Sequence, residues 1–580
     1  MSWINGTLSS KSADGRRSLG VIIILLLTSI TVMLPALCFG EILRGQDALI
    51  HTRWQVAFAP VFWSGDIFPR WLPDLNKGFG SPAFFIYPPL TQMLAAVTYP
   101  LAPSAEWTSF RIAVSVTFAI FVAALGAFLW LRTHTNDRSA MWGAIAYSVA
   151  PYHLFVDTYF RGAFAEVWSF APIPFAMLAV DRLSGKAHSA FLSLVLSLSC
   201  AVLLHAPSVL INVPVVGLYA ALIGWQQRSL RPLVLFATAG AIAMLLCGGY
   251  LGTALTQVNM IRSVELFGGR LVPTKWLIGG GTWPDIPIMI MINFIMVLQV
   301  VLAIVLFRNI ATGQPRTSMW RLSFALALMT ISVVMTTIIS EPLWSLNSSL
   351  NRIQFPWRFL SIQAIAIAAL CAYVGDQAGR SSTPRRQAAQ RSVFFAIGSM
   401  LVVNVALYAF SIESGAASGK ARAALVADNT EPFEYQLGDI DVLTRRFPDN
   451  ASTAILSGTG DVRVKQWRPR LIELATSSEG EMRLAIRQFS YTGWQYAQNG
   501  GAARPADLLS IDEPVVVVSV PPGSHRTTIT MPPTQQERAG WIASLAGVAS
   551  LVISIAALRR GSPLSSQRTT LNGPADALSE

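Results

Sequence analysis

The chain has 580 residues, of which 53% are hydrophobic and only 13% are charged. Soluble domains carry about 25% charged residues, so this composition excludes a disordered chain and argues against a purely soluble enzyme. Apolar runs of about 18 residues or more, each long enough to cross the hydrocarbon core of a bilayer, recur along the sequence. The sequence therefore predicts a polytopic α-helical membrane protein.

The formal net charge of +12 is the kind of value found in nucleic-acid-binding proteins. The basic residues, however, stand in short clusters between the apolar runs, as at Arg16 and Arg17, Arg385 and Arg386, and Arg559 and Arg560. Such clusters are typical of cytoplasmic loops in membrane proteins. The positive charge therefore indicates which loops face the cytoplasm. We expect a lipid bilayer as the partner and no nucleic acid.

A cytoplasmic N-terminus, residues 1–18, precedes the first apolar run, which lacks a small-x-small cleavage site and is interpreted as a retained helix. The charge pattern then places both termini in the cytoplasm. The segment 83–101 contains Pro88, Pro89 and Pro100, so it is predicted as a partly embedded hairpin or interfacial helix. About twelve crossings are predicted, near 19–39, 107–131, 139–156, 164–181, 189–207, 208–225, 233–253, 286–307, 320–339, 357–375, 393–411 and 539–558.

The long outer loop 40–106 carries the first candidate site residues. Asp47 and His51 are four apart, so they share one face if the stretch is helical. A carboxylate there suits a general base acting on a hydroxyl, whereas the alternative for Asp47 is a helix N-cap. Asp66, Arg70 and Trp71 follow: an arginine fork suits phosphate and an indole suits the headgroup level. The alternative is an interfacial anchor in which Arg70 pairs with Asp66.

A second group of charged residues stands in the next outer turn, PYHLFVDTYFRGAFAEVW. Asp157 and Glu166 flank Arg161 there, and such a group can hold a sugar hydroxyl, a phosphate or a divalent cation. The alternative is a self-satisfied ion pair. His205, at the outer end of a helix, is either a ligand or a structural hydrogen-bond donor. Arg358, within NRIQFPWRF, is a candidate phosphate contact.

The region 412–538 differs from the apolar helical segments because its sequence pattern predicts β-strands separated by turns. Val515–Val518 is a β-rich run, and Pro521-Pro522-Gly523 is a turn signal. We predict a small periplasmic β-sandwich-like domain tethered by helices at both ends. A last crossing at 539–558 leads to a polar cytoplasmic tail, 559–580, that is predicted to be disordered.

Taken together, several segments resemble a bacterial family of polytopic membrane proteins that is labelled "6-pyruvoyl-tetrahydropterin synthase-related". No clustered histidines of a pterin-synthase zinc site occur in the sequence, so that chemistry is not expected. The resemblance covers most of the chain and is most specific over the first 180 residues. The segments that carry it are Asp47 with His51, GDIFPRW at 65–71, GFGSPAFFIYPPL at 78–90, PYHLFVDTYFRGAFAE at 151–166, IQFPWRFL at 353–360 and YTGW at 491–494.

The architecture in turn resembles the GT-C glycosyltransferase superfamily, whose members include oligosaccharyltransferases and aminoarabinose transferases. By this resemblance Asp47 matches the first-loop carboxylate, and Asp157 and Glu166 stand where a second acidic group is placed. Pro88-Pro89-Leu90 matches a first-loop motif of the aminoarabinose transferases. Tyr87 stands where those enzymes usually have a lysine, and it is retained as a substrate-binding candidate.

The resemblance implies an inverting sugar transfer from a polyprenyl-phosphate carrier to an envelope glycan, lipid or protein, at the outer face of a bacterial inner membrane. Asp47 would act on the acceptor hydroxyl, and Arg70, Arg161 or Arg358 would neutralise the leaving phosphate. No cofactor is certain, and a divalent cation is one option. Two other classes stay open, a transporter of lipid-linked glycans and a non-catalytic accessory protein of envelope assembly.

Overall fold

A computed structural model of the chain describes residues 13–39, 46–184, 187–262, 267–281, 283–309, 316–346, 348–378, 383–413 and 428–560. The predicted tail falls almost entirely outside the described residues, as does most of the predicted cytoplasmic N-terminus.

Twenty α-helices and nine strands occur within the described ranges. The helices are α1 Ala13–Phe39, α2 Gln46–Trp63, α3 Leu75–Gly78, α4 Ala83–Ile86, α5 Leu90–Ala96, α6 Thr108–Leu131, α7 Asp137–Ser148, α8 Phe164–Ser169, α9 Pro172–Arg182, α10 Ala187–Leu204, α11 Ala206–Gln227, α12 Arg231–Leu246, α13 Gly248–Thr256, α14 Ile286–Arg308, α15 Arg316–Thr336, α16 Glu341–Leu346, α17 Leu360–Ala378, α18 Thr383–Glu413, α19 Ile440–Thr444 and α20 Gln535–Arg560. A π-helix, Tyr152–Arg161, joins α7 to α8. The strands are β1 Thr453–Ser457, β2 Gly460–Arg468, β3 Leu471–Ser478, β4 Met482–Phe489, β5 Gln495–Gln498, β6 Arg504–Pro505, β7 Asp507–Leu508, β8 Val515–Val520 and β9 Gly523–Thr530.

The helical region is that of a multi-pass membrane protein. Within the described residues, nine helical segments are long and apolar enough to cross a bilayer, and the pair α12–α13, bent by 75°, is a tenth candidate. The two remaining predicted crossings coincide with shorter helices, α7 and the apolar part of α15, Trp320–Thr336. The number twelve therefore stays a prediction. The nine segments are Ser18–Phe39, Ala105–Leu131, Phe164–Arg182, Ala187–Leu204, Ala206–Gln227, Ile286–Arg308, Pro356–Ala378, Pro384–Ser411 and Gln535–Arg560.

The segment predicted as a hairpin forms two short helices, α4 and α5, that meet at Pro88 and Pro89. Neither proline can continue a helix from the preceding turn, because each lacks the backbone N–H that such a turn requires. The chain thus turns here, the non-crossing position of the segment stays a prediction, and Tyr87, just before the prolines, lies beside Trp54 of α2.

The C-terminal part folds into two antiparallel sheets, with strand orders β1-β4-β8-β7 and β2-β3-β9-β5-β6. Alternating side chains such as Ile472 and Leu474 on β3 and Leu484 and Ile486 on β4 fill the space between the sheets. The predicted β-rich domain is therefore present after α18, and α20 follows it as the last helix.

The β-sheet domain packs directly on the loop between α2 and α6. Trp71, Phe79 and Phe85 of that loop are fully buried in the same cluster as Phe489 and Tyr491 of the domain. Two hydrogen bonds fix the contact: the Phe489 N–H donates to the Phe79 carbonyl at 2.6 Å, and the Trp71 indole donates to the Gln488 amide oxygen at 2.6 Å. The first loop and the β-sheet domain form one packed unit.

Residues 428–436, here called the strap, lead from α18 towards the domain and lie along the same loop. The Asn76 N–H donates to the Asn429 carbonyl, and the Glu431 N–H donates to the Asn76 side chain, both at 2.9 Å. The buried Glu431 carboxylate accepts from the Trp54 indole at 2.5 Å and from the Asn76 amide at 2.7 Å. These bonds hold the strap against α2.

Candidate active site

A cavity of about 480 Å³ lies where α2, the turn before α8, the start of α11, the α12–α13 bend, the segment 352–358 and the strap meet. Seven of the residues predicted from the sequence contribute to its polar lining, together with Arg352, Gln354 and Glu434; the seven are Asp47, His51, Tyr87, Arg161, Glu166, His205 and Arg358. The remaining lining residues are mostly apolar or aromatic. Such a concave site with a few convergent charges is the usual form of a binding site for a small molecule.

Asp47 and His51 share the face of α2 that borders the cavity. The Asp47 side chain keeps 38% of its surface exposed, and its Oδ2 accepts a hydrogen bond from Arg161 at 3.0 Å. Asp47 also lies in the first turn of α2, where the helix dipole favours a negative charge. The carboxylate is therefore paired with Arg161 and accessible from the cavity.

Arg161 lies at the centre of the charged group. Its Nη1 donates to Asp157 Oδ1 at 2.8 Å and to Glu166 Oε2 at 2.9 Å, and its Nη2 donates to Asp47 Oδ2. Gly162, with φ +68°, ends the π-helix in the left-handed conformation and turns the chain into α8. A Cβ there would lie 2.3 Å from Ala48, so glycine permits the π-helix end to touch α2.

Glu166 is saturated by three donors. Besides Arg161, the Arg358 Nε donates to Oε2 at 3.0 Å, and the Tyr152 hydroxyl donates to Oε1 at 2.7 Å. The Arg358 Nη1 also donates to the Ile353 carbonyl at 2.5 Å. A buried carboxylate so fully hydrogen-bonded holds its two arginines in place and is a poor proton acceptor.

Asp157 is completely buried and does not border the cavity. One of its oxygens, Oδ2, has no hydrogen-bond partner among the described residues. Burial, together with the nearby Glu166 carboxylate, raises the pKa of Asp157 well above its usual range. Asp157 is therefore a positioning group for Arg161, and the structure does not place it where a catalytic base would touch a substrate.

The two histidines of the cavity are neutral at physiological pH. Burial lowers the pKa of His51 to about 4, and its Nδ1 accepts from the Gln92 amide at 3.2 Å, which places its proton on Nε2. Burial and then Arg358 lower the pKa of His205 to about 3. The His205 Nδ1 is hydrogen-bonded to the Ser208 hydroxyl at 2.7 Å. Both rings therefore line the cavity as neutral imidazoles, each with one N–H donor and one acceptor nitrogen.

Aromatic rings form part of the cavity wall, next to His51. The Trp54 ring lies 4.6 Å from the Tyr87 ring and 5.6 Å from the Tyr435 ring, measured between centroids. Tyr435 belongs to the strap. Trp54 follows His51 by three residues on α2 and could have been found by helical spacing, whereas nothing in the sequence near Tyr435 indicated a site.

The other end of the cavity is apolar and open. Leu210 of α11, Met244 of α12 and Leu255 of α13 line it and are 40%, 47% and 59% exposed. These side chains lie on helices that are long and apolar enough to cross a bilayer, or on the bent pair. The cavity therefore runs from a charged group to an apolar opening at the side of the helical region.

Three predicted site residues, Asp66, Arg70 and Trp71, do not reach the cavity. Arg70 is buried and pairs with Glu537 of α20 at 3.1 Å, and also donates to the Thr253 hydroxyl at 2.7 Å. The Asp66 carboxylate instead accepts from the backbone N–H of Phe68 at 3.1 Å. The structure places Arg70 outside the cavity and in direct contact with Glu537, which corrects its predicted phosphate role, while Asp66 attracts Arg70 without a direct bond to it. Arg70 and Trp71 join the first loop to α13, α20 and the β-sheet domain.

A divalent cation does not fit the charged group. Among the described residues, no set of three or more histidine, cysteine, aspartate or glutamate side chains is arranged to hold a metal ion. Asp47, Asp157 and Glu166 each direct an oxygen at Arg161. The guanidinium occupies the point at which these carboxylates converge.

Fold and site together define a multi-pass helical membrane protein with a docked β-sheet domain and a charged cavity that opens sideways. No family model and no curated protein matches the chain. The chain is similar to two crystal structures of the Archaeoglobus fulgidus oligosaccharyltransferase, in the apo form (14% identity, TM-score 0.34) and in complex with Zn and sulfate (15% identity, TM-score 0.38). The matches cover 75% and 74% of this chain and 58% and 56% of the archaeal chains, which is less than two thirds of their length.

Proposed function

We propose that the protein is an inverting membrane glycosyltransferase that moves a sugar from a polyprenyl-phosphate carrier to a glycan, lipid or protein of the cell envelope, at the outer face of a bacterial inner membrane. The observation that carries the proposal is the shape of the cavity, which has charges at one end and an apolar side opening at the other. A lipid-linked sugar phosphate matches this cavity, because it has a charged head for the charged end and an apolar tail for the apolar opening.

The phosphate is assigned to Arg358, with Arg352 of the cavity rim as a second cation. Arg358 uses Nε on Glu166 and Nη1 on Ile353 and Gln354, and no described residue accepts from its Nη2, which is assigned to a phosphate oxygen. Arginine is suited to this role because its planar fork matches phosphate geometry. The polyprenyl tail would leave the cavity between α11 and the α12–α13 bend, where Leu210 and Met244 are exposed.

Asp47 is the proposed base. Of the three carboxylates, Glu166 is saturated by donors and Asp157 lies outside the cavity, whereas Asp47 is partly exposed and has one oxygen engaged by Arg161. In the proposed step Asp47 accepts the proton of the acceptor hydroxyl while that oxygen bonds to the anomeric carbon. The bond from this carbon to the phosphate oxygen breaks, and the phosphate leaves with the electron pair towards Arg358. A single displacement inverts the anomeric centre.

The sugar itself is assigned to the aromatic wall. Trp54, Tyr87 and Tyr435 all line the cavity, and the Trp54 ring packs against the other two. Aromatic side chains offer large rigid surfaces on which the C–H face of a pyranose can pack, while neutral His51 offers an Nε2 donor for a hydroxyl.

The experiment is mass spectrometry of lipid-linked sugars and envelope glycans in a deletion strain complemented with wild type, Asp47→Asn or Asp66→Asn. Asp66 is a matched control because it belongs to the same loop but lies outside the cavity. We expect Asp47→Asn to be stably produced and to behave like the deletion, with a polyprenyl-phosphate sugar accumulating and one glycan residue missing, while Asp66→Asn complements. A wild-type profile from Asp47→Asn would refute the base and favour an accessory role.

A further inference from the structure

The position of Arg161 has a consequence for the metal chemistry of the site. Three carboxylates from three separate elements, α2, the π-helix and α8, converge on this one guanidinium at 3.0, 2.8 and 2.9 Å. Convergent carboxylate oxygens are the usual ligands of Mg²⁺, Mn²⁺ and Ca²⁺. In this chain the point of convergence is filled by a side chain of the protein.

Arg161 is held in that point from several sides. Its side chain is buried, and its guanidinium carbon lies 5.5 Å from the centre of the Phe355 ring. The backbone behind it is fixed by a hydrogen bond from the Ala163 N–H to the Asp157 carbonyl at 2.7 Å, which closes the π-helix. A metal ion could enter only if this side chain left, and it would then also face the positive charge of Arg358, which is bonded to the same Glu166 oxygen.

The charges of the group are also matched without a metal ion. Arg161 and Arg358 supply two positive charges, and Asp47 and Glu166 supply two negative ones. The third carboxyl, Asp157, is enclosed and bonded to Arg161 through Oδ1, and its Oδ2 has no partner among the described residues. Counted as ionised, it would bring the group to one negative charge, which is less than a divalent cation would add. An added divalent cation would leave the enclosed group with excess positive charge.

We infer that Arg161 takes the place of a divalent cation in this cavity, so that the protein binds none and its proposed transfer reaction needs none. The metal-binding part stands on the geometry alone, and the reaction part rests on the proposed function. Removing the guanidinium would in turn leave three carboxylates around an empty point and create a metal site where none existed.

The test is metal content, which does not depend on activity. Purified wild type, Arg161→Ala, Arg161→Lys and Arg352→Ala are equilibrated with Mn²⁺, and bound Mn²⁺ is measured by electron paramagnetic resonance and elemental analysis. Arg352 is the control because it borders the same cavity without an ion pair to these carboxylates. We expect stoichiometric Mn²⁺ in Arg161→Ala alone, with a rise in its melting temperature on adding Mn²⁺, and none in Arg161→Lys, whose ammonium replaces the charge.

Two results would overturn the inference. One is a wild-type protein that carries a stoichiometric divalent ion removable by EDTA; this result decides the matter even if Arg161→Ala fails to fold. The other is a folded Arg161→Ala that binds no more Mn²⁺ than wild type. Transfer assays with and without EDTA separate the two proposals: wild-type transfer that EDTA abolishes refutes the metal-free site only, whereas metal-free protein with no transfer in either condition refutes the proposed function and leaves Arg161 in its place.

Discussion

Glu431 should make the attachment of the strap depend on pH. Its carboxyl is buried against α2, and burial raises its pKa from 4.5 to about 7, with Glu434 adding to the rise and the bonds from Ser81, Trp54 and Asn76 opposing it. Because the folded protein holds this proton more tightly than the unfolded chain, the stabilisation is fully present below the unfolded value of 4.5 and is lost as the pH rises through about 7.

The size of the effect follows from the two pKa values. Each pKa unit corresponds to about 1.4 kcal/mol, so the difference between 4.5 and about 7 amounts to roughly 3 kcal/mol at most. Local opening of the strap would let water reach the carboxylate and so reduce this effect. The free energy of unfolding should therefore fall by about 1–3 kcal/mol between about pH 5 and about pH 8.

The assay is thermal unfolding of detergent-solubilised wild type, Glu431→Gln and Asp441→Asn across that pH range. The glutamine variant loses one hydrogen bond at every pH, because its amide nitrogen faces either the Trp54 or the Asn76 donor. The change of melting temperature with pH, and not its absolute value, is therefore compared between the proteins. Asp441, on the neighbouring α19 and with a side chain 79% exposed, is the control. We expect wild type and Asp441→Asn to lose stability as the pH rises, and Glu431→Gln to show a flatter profile. Equal slopes in all three proteins would refute the reasoning.

Three further substitutions test the site and the domain contact. Glu166→Gln leaves the buried Arg161 and Arg358 guanidinium groups without one of their counter-charges and should lower the free energy of unfolding by about 3–5 kcal/mol. The measurement is the melting temperature, and an unchanged value would contradict the ion pairs. Gly162→Ala should push α2 away, since the new Cβ would lie 2.3 Å from Ala48, and should abolish transfer, whereas Gly480→Ala, at a glycine with open space around it and no positive φ, should not. Trp71→Ala removes a fully buried ring from the domain contact, should cost about 3–5 kcal/mol, and should speed proteolytic release of the β-sheet domain, measured by limited trypsin digestion.

The membrane class and the order of helices and β-rich region could be predicted because they depend on composition and on runs of apolar residues. The candidate pair Asp47 and His51 could also be predicted, since helical spacing alone puts them on one face. The number of spans could not, because α7 has only 12 residues and continues as a π-helix, a hydrogen-bonding pattern that hydropathy does not reveal.

The roles of Arg70 and Tyr435 depend on contacts that no local pattern encodes. Arg70 finds its partner in Glu537, on a helix at the far end of the chain. Tyr435 reaches the cavity because the strap is bonded to α2 and its loop, among others through Glu431 and Trp54. Such side chains look like ordinary surface residues in the sequence, and only the packed structure shows which of them meet.

The strap also determines the order in which the contacts of the cavity can form during synthesis of the chain. The bond between Trp54 and Glu431 joins residues 377 positions apart, and the bond between Glu166 and Arg358 joins residues 192 positions apart. The pair Asp47 and Arg161, only 114 positions apart, is complete much earlier in synthesis. While a ribosome is still translating the later helices, the half-built cavity therefore has Asp47 and Arg161 but no Arg358 and no Tyr435, and a chain that stops before residue 428 lacks the Tyr435 part of the aromatic wall.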